Sequence, residues 1–259
     1  IKLKSPAPML RPAGTGKTWL AAFDSKQMEA QKVLFVAHRE EILDQAEKTF
    51  SILREDSRVG RYDGTTKQID VDLVFASIQT IGKKSHLQKF APDHFDMIVV
   101  DEFHHAAAHS YQKLLAYFSP MFMLGLTATP NRTDQSDTLS LCDNNLVFEI
   151  DLFEAIRTGA LCPFVYKGIA DVVDYSEIKW RNGKFDPHQL ENKLATIARA
   201  KHNFTHWKKY KATRTLAFCI STKHADFMAD YFSKKGVKAV SVHSRSSTPR
   251  NLALANLEN

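Results

Sequence analysis

The sequence predicts an α/β chain of two consecutive regions, each a parallel sheet covered by helices, with the second region incomplete. Three observations carry this expectation. Short apolar runs alternate with helical patterns in a βαβα rhythm. That rhythm breaks between 131 and 165 and then resumes, and it is still running where the chain stops. The charge balance also changes across the break: residues 1–159 hold 18 basic and 21 acidic residues, whereas residues 160–259 hold 17 and 8. The expected domains are therefore 1–150 and 160–259.

Taken in order, residues 32–38 (KVLFVAH) form a continuous apolar run, the pattern of a strand buried on both faces. In 40–53, Ile42, Leu43, Ala46, Phe50 and Leu53 recur at helical spacing. Residues 72–77 (DLVFAS) and 95–101 (FDMIVVD) read as further strands, 111–118 as a helix and 121–127 (MFMLGLT) as another strand. Residues 131–145 are polar and turn-rich, and 152–157 is a short helix ended by Gly159. The second region begins with an expected strand over 164–170. A helical pattern follows over 187–208, then a strand over 215–220, a helix over 223–235 stopped by Gly236, a strand over 237–242 and a helix from Pro249.

Composition narrows the classes. The chain has 259 residues, 44% hydrophobic and 25% charged, an ordinary globular balance that excludes a disordered tail or a collagen-like repeat. No window approaches the ~20 apolar residues a membrane helix needs, so no membrane association is expected. Residue 1 is Ile rather than Met and no signal-peptide core follows, which suggests a piece of a longer chain and leaves a removed leader open. Cys142, Cys162 and Cys219 are widely spaced, form no metal-ligand pattern and fit a reducing, cytoplasmic setting. The basic second region suggests a polyanionic partner as readily as a solvated surface.

The strongest local signal is Pro12–Thr18 (PAGTGKT). Gly14 and Gly16 let the backbone curl around Thr15 so that successive N–H groups converge on phosphate oxygens. Lys17 adds a cation at the terminal phosphates, the Thr18 hydroxyl suits Mg²⁺, and the following helix turns its positive end to the anion. The strict phosphate-loop pattern is not met, because Arg11 stands where its first glycine belongs. Pro6 and Pro8 also weaken the strand that should feed the loop, so either the strand is only Met9–Arg11 or sequence upstream is missing or altered.

A phosphate loop needs a second carboxylate for Mg²⁺. Residues 97–100 (MIVV) bury a strand that delivers Asp101 and Glu102 at its carboxyl end, where α/β ligands bind. Asp101 is placed for the metal, and Glu102 to orient or deprotonate an attacking water. Phe103, His104 and His105 follow; with His109 they lack the carboxylates or thiolates of a metal set of their own.

Together these residues resemble superfamily 2 helicases. Asp101-Glu102-Phe103-His104 is similar to the DExH box, and Pro12–Thr18 to motif I. Residues 36–45, with His38 and Arg39, resemble motif Ia, and residues 76–80, with Ser77, Gln79 and Thr80, the next nucleic-acid motif. Residues 126–130, with Thr127 and Thr129, resemble motif III; residues 218–222, with Ser221 and Thr222, motif IV; and Val242–Ser244 with Arg250 the segment after it. The doubled histidine and the PAGTG loop are most similar to the restriction-enzyme Res-subunit branch.

The resemblance implies two RecA-like P-loop domains, the second incomplete, that hydrolyse ATP with Mg²⁺ and move on nucleic acid, DNA in preference to RNA. It implies that Gly14, Thr15, Gly16, Lys17 and Thr18 bind the triphosphate, that Thr18 and Asp101 hold Mg²⁺, and that Glu102, with Lys17 and His104, is catalytic. Thr127 and Thr129 would couple phosphate state to domain closure. His38, Arg39, Ser77, Gln79, Thr80, Ser221 and Thr222 would contact the strand, mostly through phosphates and without reading sequence. Nuclease or specificity domains or subunits would lie elsewhere in the intact protein. The family's last two motifs, one supplying an arginine to the γ-phosphate, have no counterpart here, which implies binding with weak turnover. A glutamine-bearing adenine-recognition motif is also not visible. Two other readings stay open: a P-loop ATPase that remodels proteins, and a non-catalytic remnant that grips nucleic acid.

Overall fold

The computed structural model describes residues 7–106, 108–128, 145–181, 183–211 and 213–258. The chain divides into two compact units, Ile1–Val165 and Tyr166–Asn259.

The first unit is built on a seven-stranded parallel sheet. Its strands are β1 (Ala7–Leu10), β2 (Val33–Ala37), β3 (Val59–Tyr62), β4 (Leu73–Ser77), β5 (Met97–Asp101), β6 (Phe122–Thr127) and β7 (Phe148–Glu149), in the order β3-β4-β2-β5-β6-β1-β7. The helices are α1 (Lys17–Gln27), α2 (Glu40–Leu53), the short α3 (Ile78–Ile81) and α4 (Lys84–Leu87), α5 (His109–Tyr117) and α6 (Leu152–Arg157). Strand side chains alternate between faces, and here both faces are apolar. Leu34, Val36, Val74, Ala76, Ile98 and Val100 enter one core cluster. Val33, Phe35, Leu73, Phe75, Met97 and Val99 enter the other. A run without polar alternation therefore reads as a central parallel strand, and the sequence expectation of an α/β parallel sheet holds.

Two strands differ from expectation. The edge strand β3 carries Gly60 and Arg61, too polar a run to read as a strand. A Cβ on Gly60 would meet Val71 Cγ2 and Gln68 Cβ at 2.9 Å, so the residue is glycine because another segment crosses it closely. β1 starts at Ala7 and includes Pro8, against the expected restriction to Met9–Arg11. The reason is directional. Arg11 N–H donates to the β6 carbonyl of Thr127 at 3.0 Å, so odd-numbered residues of β1 face β6 and Pro8 faces β7. There its carbonyl accepts from Val147 N–H at 3.1 Å, and its missing N–H falls on a strand only two residues long.

The second unit holds a hairpin of β8 (Trp180–Arg181) and β9 (Lys184–Phe185), antiparallel, and the helices α7 (Pro187–Leu194), α8 (Ile197–Tyr210), α9 (Thr222–Lys234) and α10 (Arg250–Glu258). The single helix expected over 187–208 is two, because Thr196 caps a new start by accepting from Arg199 N–H. The second parallel sheet expected from 164–170, 215–220 and 237–242 is not laddered: these segments form no strand pairing among the described residues. An apolar run makes a parallel strand only when neighbours pair with it and both faces are covered. Here Val165, Tyr166, Leu216, Phe218 and Val240 are exposed instead. No helix among the described residues is long and apolar enough to cross a membrane.

Candidate nucleotide site

The carboxyl ends of three adjacent strands assemble the site. Register pairs Leu10 of β1 with Thr127 of β6, and Asp101 of β5 with Leu126 of β6. The loop after β1, the acidic pair after β5 and the threonine ending β6 therefore stand side by side.

The loop has the curl its glycines require. Gly14 and Gly16 adopt φ of +82° and +78°, the left-handed region that other residues enter at a cost. Thr15 is buried and its Oγ1 donates to Pro12 O at 2.7 Å, closing the turn. Gly16 caps α1, so that helix's free N–H groups and positive dipole end open onto the loop. The Lys17 ammonium donates to Arg11 O at 3.1 Å and Pro12 O at 3.3 Å, spanning the loop from inside. Burial pushes the Lys17 pKa down, while Asp101 and Glu102 oppose that shift. Thr18, half-buried, follows in the first turn. A cradle of N–H groups with one ammonium fits a polyphosphate.

Asp101 fits the metal. Its carboxyl is pushed up to about 6, first by burial, with the Glu102 charge adding to the shift and the Glu102 N–H and Lys17 opposing it. A carboxylate this poorly solvated is short of positive charge, which a divalent cation bound with Thr18 would supply. Among the described residues no cluster of three His, Cys, Asp or Glu offers a separate metal site.

Glu102 has φ of +52°, rare for a side-chain-bearing residue, and leads into a 3-10 turn over Phe103–His105. Its N–H donates to Asp101 Oδ1 at 2.9 Å. The turn brings His104 back over the acidic pair: Nδ1 lies 3.1 Å from Glu102 Oε2 and 3.2 Å from Thr127 Oγ1. Glu102, His104 and Thr127 are thereby in one hydrogen-bonded group. Thr129 lies outside the described residues.

Two participants escaped the sequence reading. A Cβ on Gly125 would lie 2.5 Å from the Phe103 ring, so glycine in β6 is what lets the turn bearing Glu102 and His104 settle on the sheet. A lone glycine inside an apolar strand was the available signal. Tyr111 is buried with no hydrogen-bond partner for its hydroxyl, and burial followed by the Asp101 and Glu102 charges pushes its pKa up.

A second group gathers at the ends of β2 and β4, which pair with Ala37 opposite Ser77. Gln79 Nε2 donates to His38 O at 2.9 Å, Ser77 Oγ to Gln79 Oε1 at 2.6 Å, and Arg39 Nε to His38 Nε2 at 3.1 Å. Arg39 and Gln79 are exposed. Thr80 departs from the expected strand contact: it is 7% exposed, because α3 turns it inward alongside the buried Ile81. In the second unit Ser221 caps α9 by accepting from His224 N–H at 3.0 Å, and Thr222 Oγ1 accepts from Arg245 Nη2 at 3.1 Å.

A doubly covered parallel sheet with a phosphate loop and an acidic pair at its carboxyl edge gives the first unit the form of a RecA-like, P-loop nucleotide-binding domain. Residues 8–132 match the family described as type III restriction enzyme, res subunit. The chain is similar to a protein named as the ATP-dependent helicase IRC3 of Saccharomyces cerevisiae, 26% identical over 80% of this chain and 31% of that protein. It is also similar to the type I restriction enzyme EcoAI endonuclease subunit of Escherichia coli, 31% identical over 66% of this chain and 22% of that one. In fold it resembles a fragment described as an HsdR subunit of a type I restriction enzyme from Vibrio vulnificus YJ016. That likeness has a TM-score of 0.62 and 23% identity, and covers 90% of this chain and 42% of that one. The chain thus spans less than half the length of these relatives.

Proposed function

We propose that this chain is the ATP-hydrolysing motor portion of a helicase or translocase that moves on DNA. The observation that carries the reading is the shared placement of Lys17, Asp101, Glu102, His104 and Thr127 at one edge of the sheet. Gly14–Thr18 wrap the triphosphate, and Lys17 exchanges its two carbonyl contacts for phosphate oxygens. Bound Mg²⁺, with Thr18 and Asp101 as its protein ligands, supplies charge neutralisation at the phosphates. Glu102 accepts the proton of the attacking water. His104 holds the Glu102 carboxylate and links it to Thr127, so a change at the phosphate reaches the end of β6. His38, Arg39, Ser77 and Gln79 receive the strand in the first unit, and Ser221 and Thr222 in the second. Relatives named as a helicase and as a restriction endonuclease subunit support the class and favour DNA.

The test is calorimetric binding of Mg²⁺-ATP together with steady-state hydrolysis, with and without single-stranded DNA or RNA. Binding lost in Lys17→Ala is expected, with weak hydrolysis in the parent chain that Glu102→Gln removes. ATP binding with no response to either nucleic acid would favour a protein-remodelling ATPase instead.

A further inference from the structure

Tyr111, in the first turn of α5, is 3% exposed, and its hydroxyl has no hydrogen-bond partner. The ring belongs to one apolar cluster with Phe103, Ala106, Ile78 and Leu114, where a phenylalanine would serve as well. A buried hydroxyl left unpaired costs free energy, so its presence calls for an acceptor that it meets in another state of the site. Direction narrows that acceptor. Side chains on a helix lean toward its N-terminus, so Tyr111 lies back over the chain that enters α5, the turn that follows Asp101 and Glu102. Burial, and after it the charges of Asp101 and Glu102, push its pKa up, so the hydroxyl stays protonated and serves as a donor. The backbone beneath it is closely held. A Cβ on Gly82, at the end of α3, would lie 3.0 Å from Ser110 Cβ and 3.1 Å from Ser110 O.

Of the two carboxylates, Glu102 is already held by His104 through Oε2. Asp101 accepts one hydrogen bond, from Glu102 N–H to Oδ1, and no other among the described residues. An ionised carboxyl offers about four lone-pair positions. With one given to the Glu102 N–H and one to a cation, Asp101 can still accept from a hydroxyl. Donors behind a metal-ligating carboxylate fix its rotation, and without them the metal geometry loosens. A donor short of an acceptor and a carboxylate short of donors thus share one corner of the fold.

We propose that Tyr111 is a positioning residue for the metal carboxylate: its hydroxyl donates to Asp101 when Mg²⁺-nucleotide is bound, and so sets the rotation at which Asp101 faces the cation. The proposal rests on the reading of Asp101 as a Mg²⁺ ligand and adds a residue, outside every motif segment, that acts through it.

The test is the calorimetric ATP affinity of the full chain, in Mg²⁺ and in EDTA, for the parent, Tyr111→Phe, Asp101→Asn and the double variant. Thermal melts of each without nucleotide accompany it. Tyr111→Phe should weaken binding in Mg²⁺ about tenfold, the low end of what a partner behind a metal ligand is worth, and leave binding in EDTA unchanged. Its melting temperature should equal or exceed that of the parent, since an unpaired hydroxyl leaves the core. Added to Asp101→Asn, the same change should cost nothing more, because the carboxylate it acts through is gone. Parental affinity of Tyr111→Phe in Mg²⁺ would overturn the proposal and leave the motor reading standing. Equal weakening in Mg²⁺ and EDTA would overturn it in favour of a purely structural tyrosine. Fully additive losses in the double variant would overturn Asp101 as the acceptor. A parent whose ATP affinity is the same in Mg²⁺ and EDTA, or survives Lys17→Ala, would overturn the nucleotide-site reading, and the role of Tyr111 with it.

Discussion

His104 Nδ1 lies 3.1 Å from Oε2 of Glu102, and the same nitrogen stands 3.2 Å from the Thr127 hydroxyl. One ring nitrogen facing both groups links the Glu102 carboxylate to the end of β6. Glu102→Gln keeps the size and the hydrogen bond but removes the proposed base. ATP turnover should fall by about 10²–10⁴ with affinity for ATP kept. His104→Ala should spare ATP binding and reduce the nucleic-acid stimulation more than the unstimulated rate. Equal losses in both rates would make His104 a simple support for Glu102.

Lys17 supports no part of the core; it bridges carbonyls of its own loop. Lys17→Ala should therefore weaken Mg²⁺-ATP binding by tenfold or more, roughly the worth of one charged hydrogen bond. The melting temperature without nucleotide should stay within a few degrees of the parent, as measured by calorimetry and thermal denaturation.

Asp101 has the opposite character, since its burial costs stability. Its folded pKa, about 6, stands above the ordinary 3.8. The folded chain then holds this proton more tightly than the unfolded chain. Between about pH 4 and 6 the unfolded state binds fewer protons, so stability falls as pH rises through that window. Asp101→Asn should flatten this dependence and stabilise the nucleotide-free chain by roughly 1–3 kcal/mol at pH 8. Thermal melts of both chains at pH 5 and pH 8 would show it, and a less stable variant at pH 8 would contradict it.

Gly125→Ala places a methyl 2.5 Å from the Phe103 ring. Phe103 is fully buried and has nowhere to withdraw, so a loss of about 1–3 kcal/mol is expected in denaturant unfolding. Because Phe103 sits between Glu102 and His104 in the chain, the variant should lose ATP turnover beyond what its lower stability explains.

Arg39 is exposed, and its side chain donates to the neighbouring His38 ring at 3.1 Å. Arg39→Ala should weaken single-stranded DNA binding nearly equally across sequences. It should also lower the slope of log affinity against log salt by about 1, the effect of losing one phosphate contact. An unchanged salt slope would remove Arg39 from the interface.

What the sequence by itself determined lies within contiguous stretches. Two glycines around Thr15 dictate the curl before Lys17, and four apolar residues bury a strand that must release Asp101 and Glu102 at its end. Such features need only local chemistry and the period of the backbone. The tertiary structure decided whatever depends on residues distant in the chain. It set Thr127 against His104, Phe103 against Gly125 and Gln79 against His38, and it turned Thr80 inward while Gln79 stays exposed. It also let Pro8 stay in β1, because the missing N–H points at a two-residue strand. In the second unit the apolar runs were legible but their pairing was not, since ladder bonds depend on which segments lie beside one another.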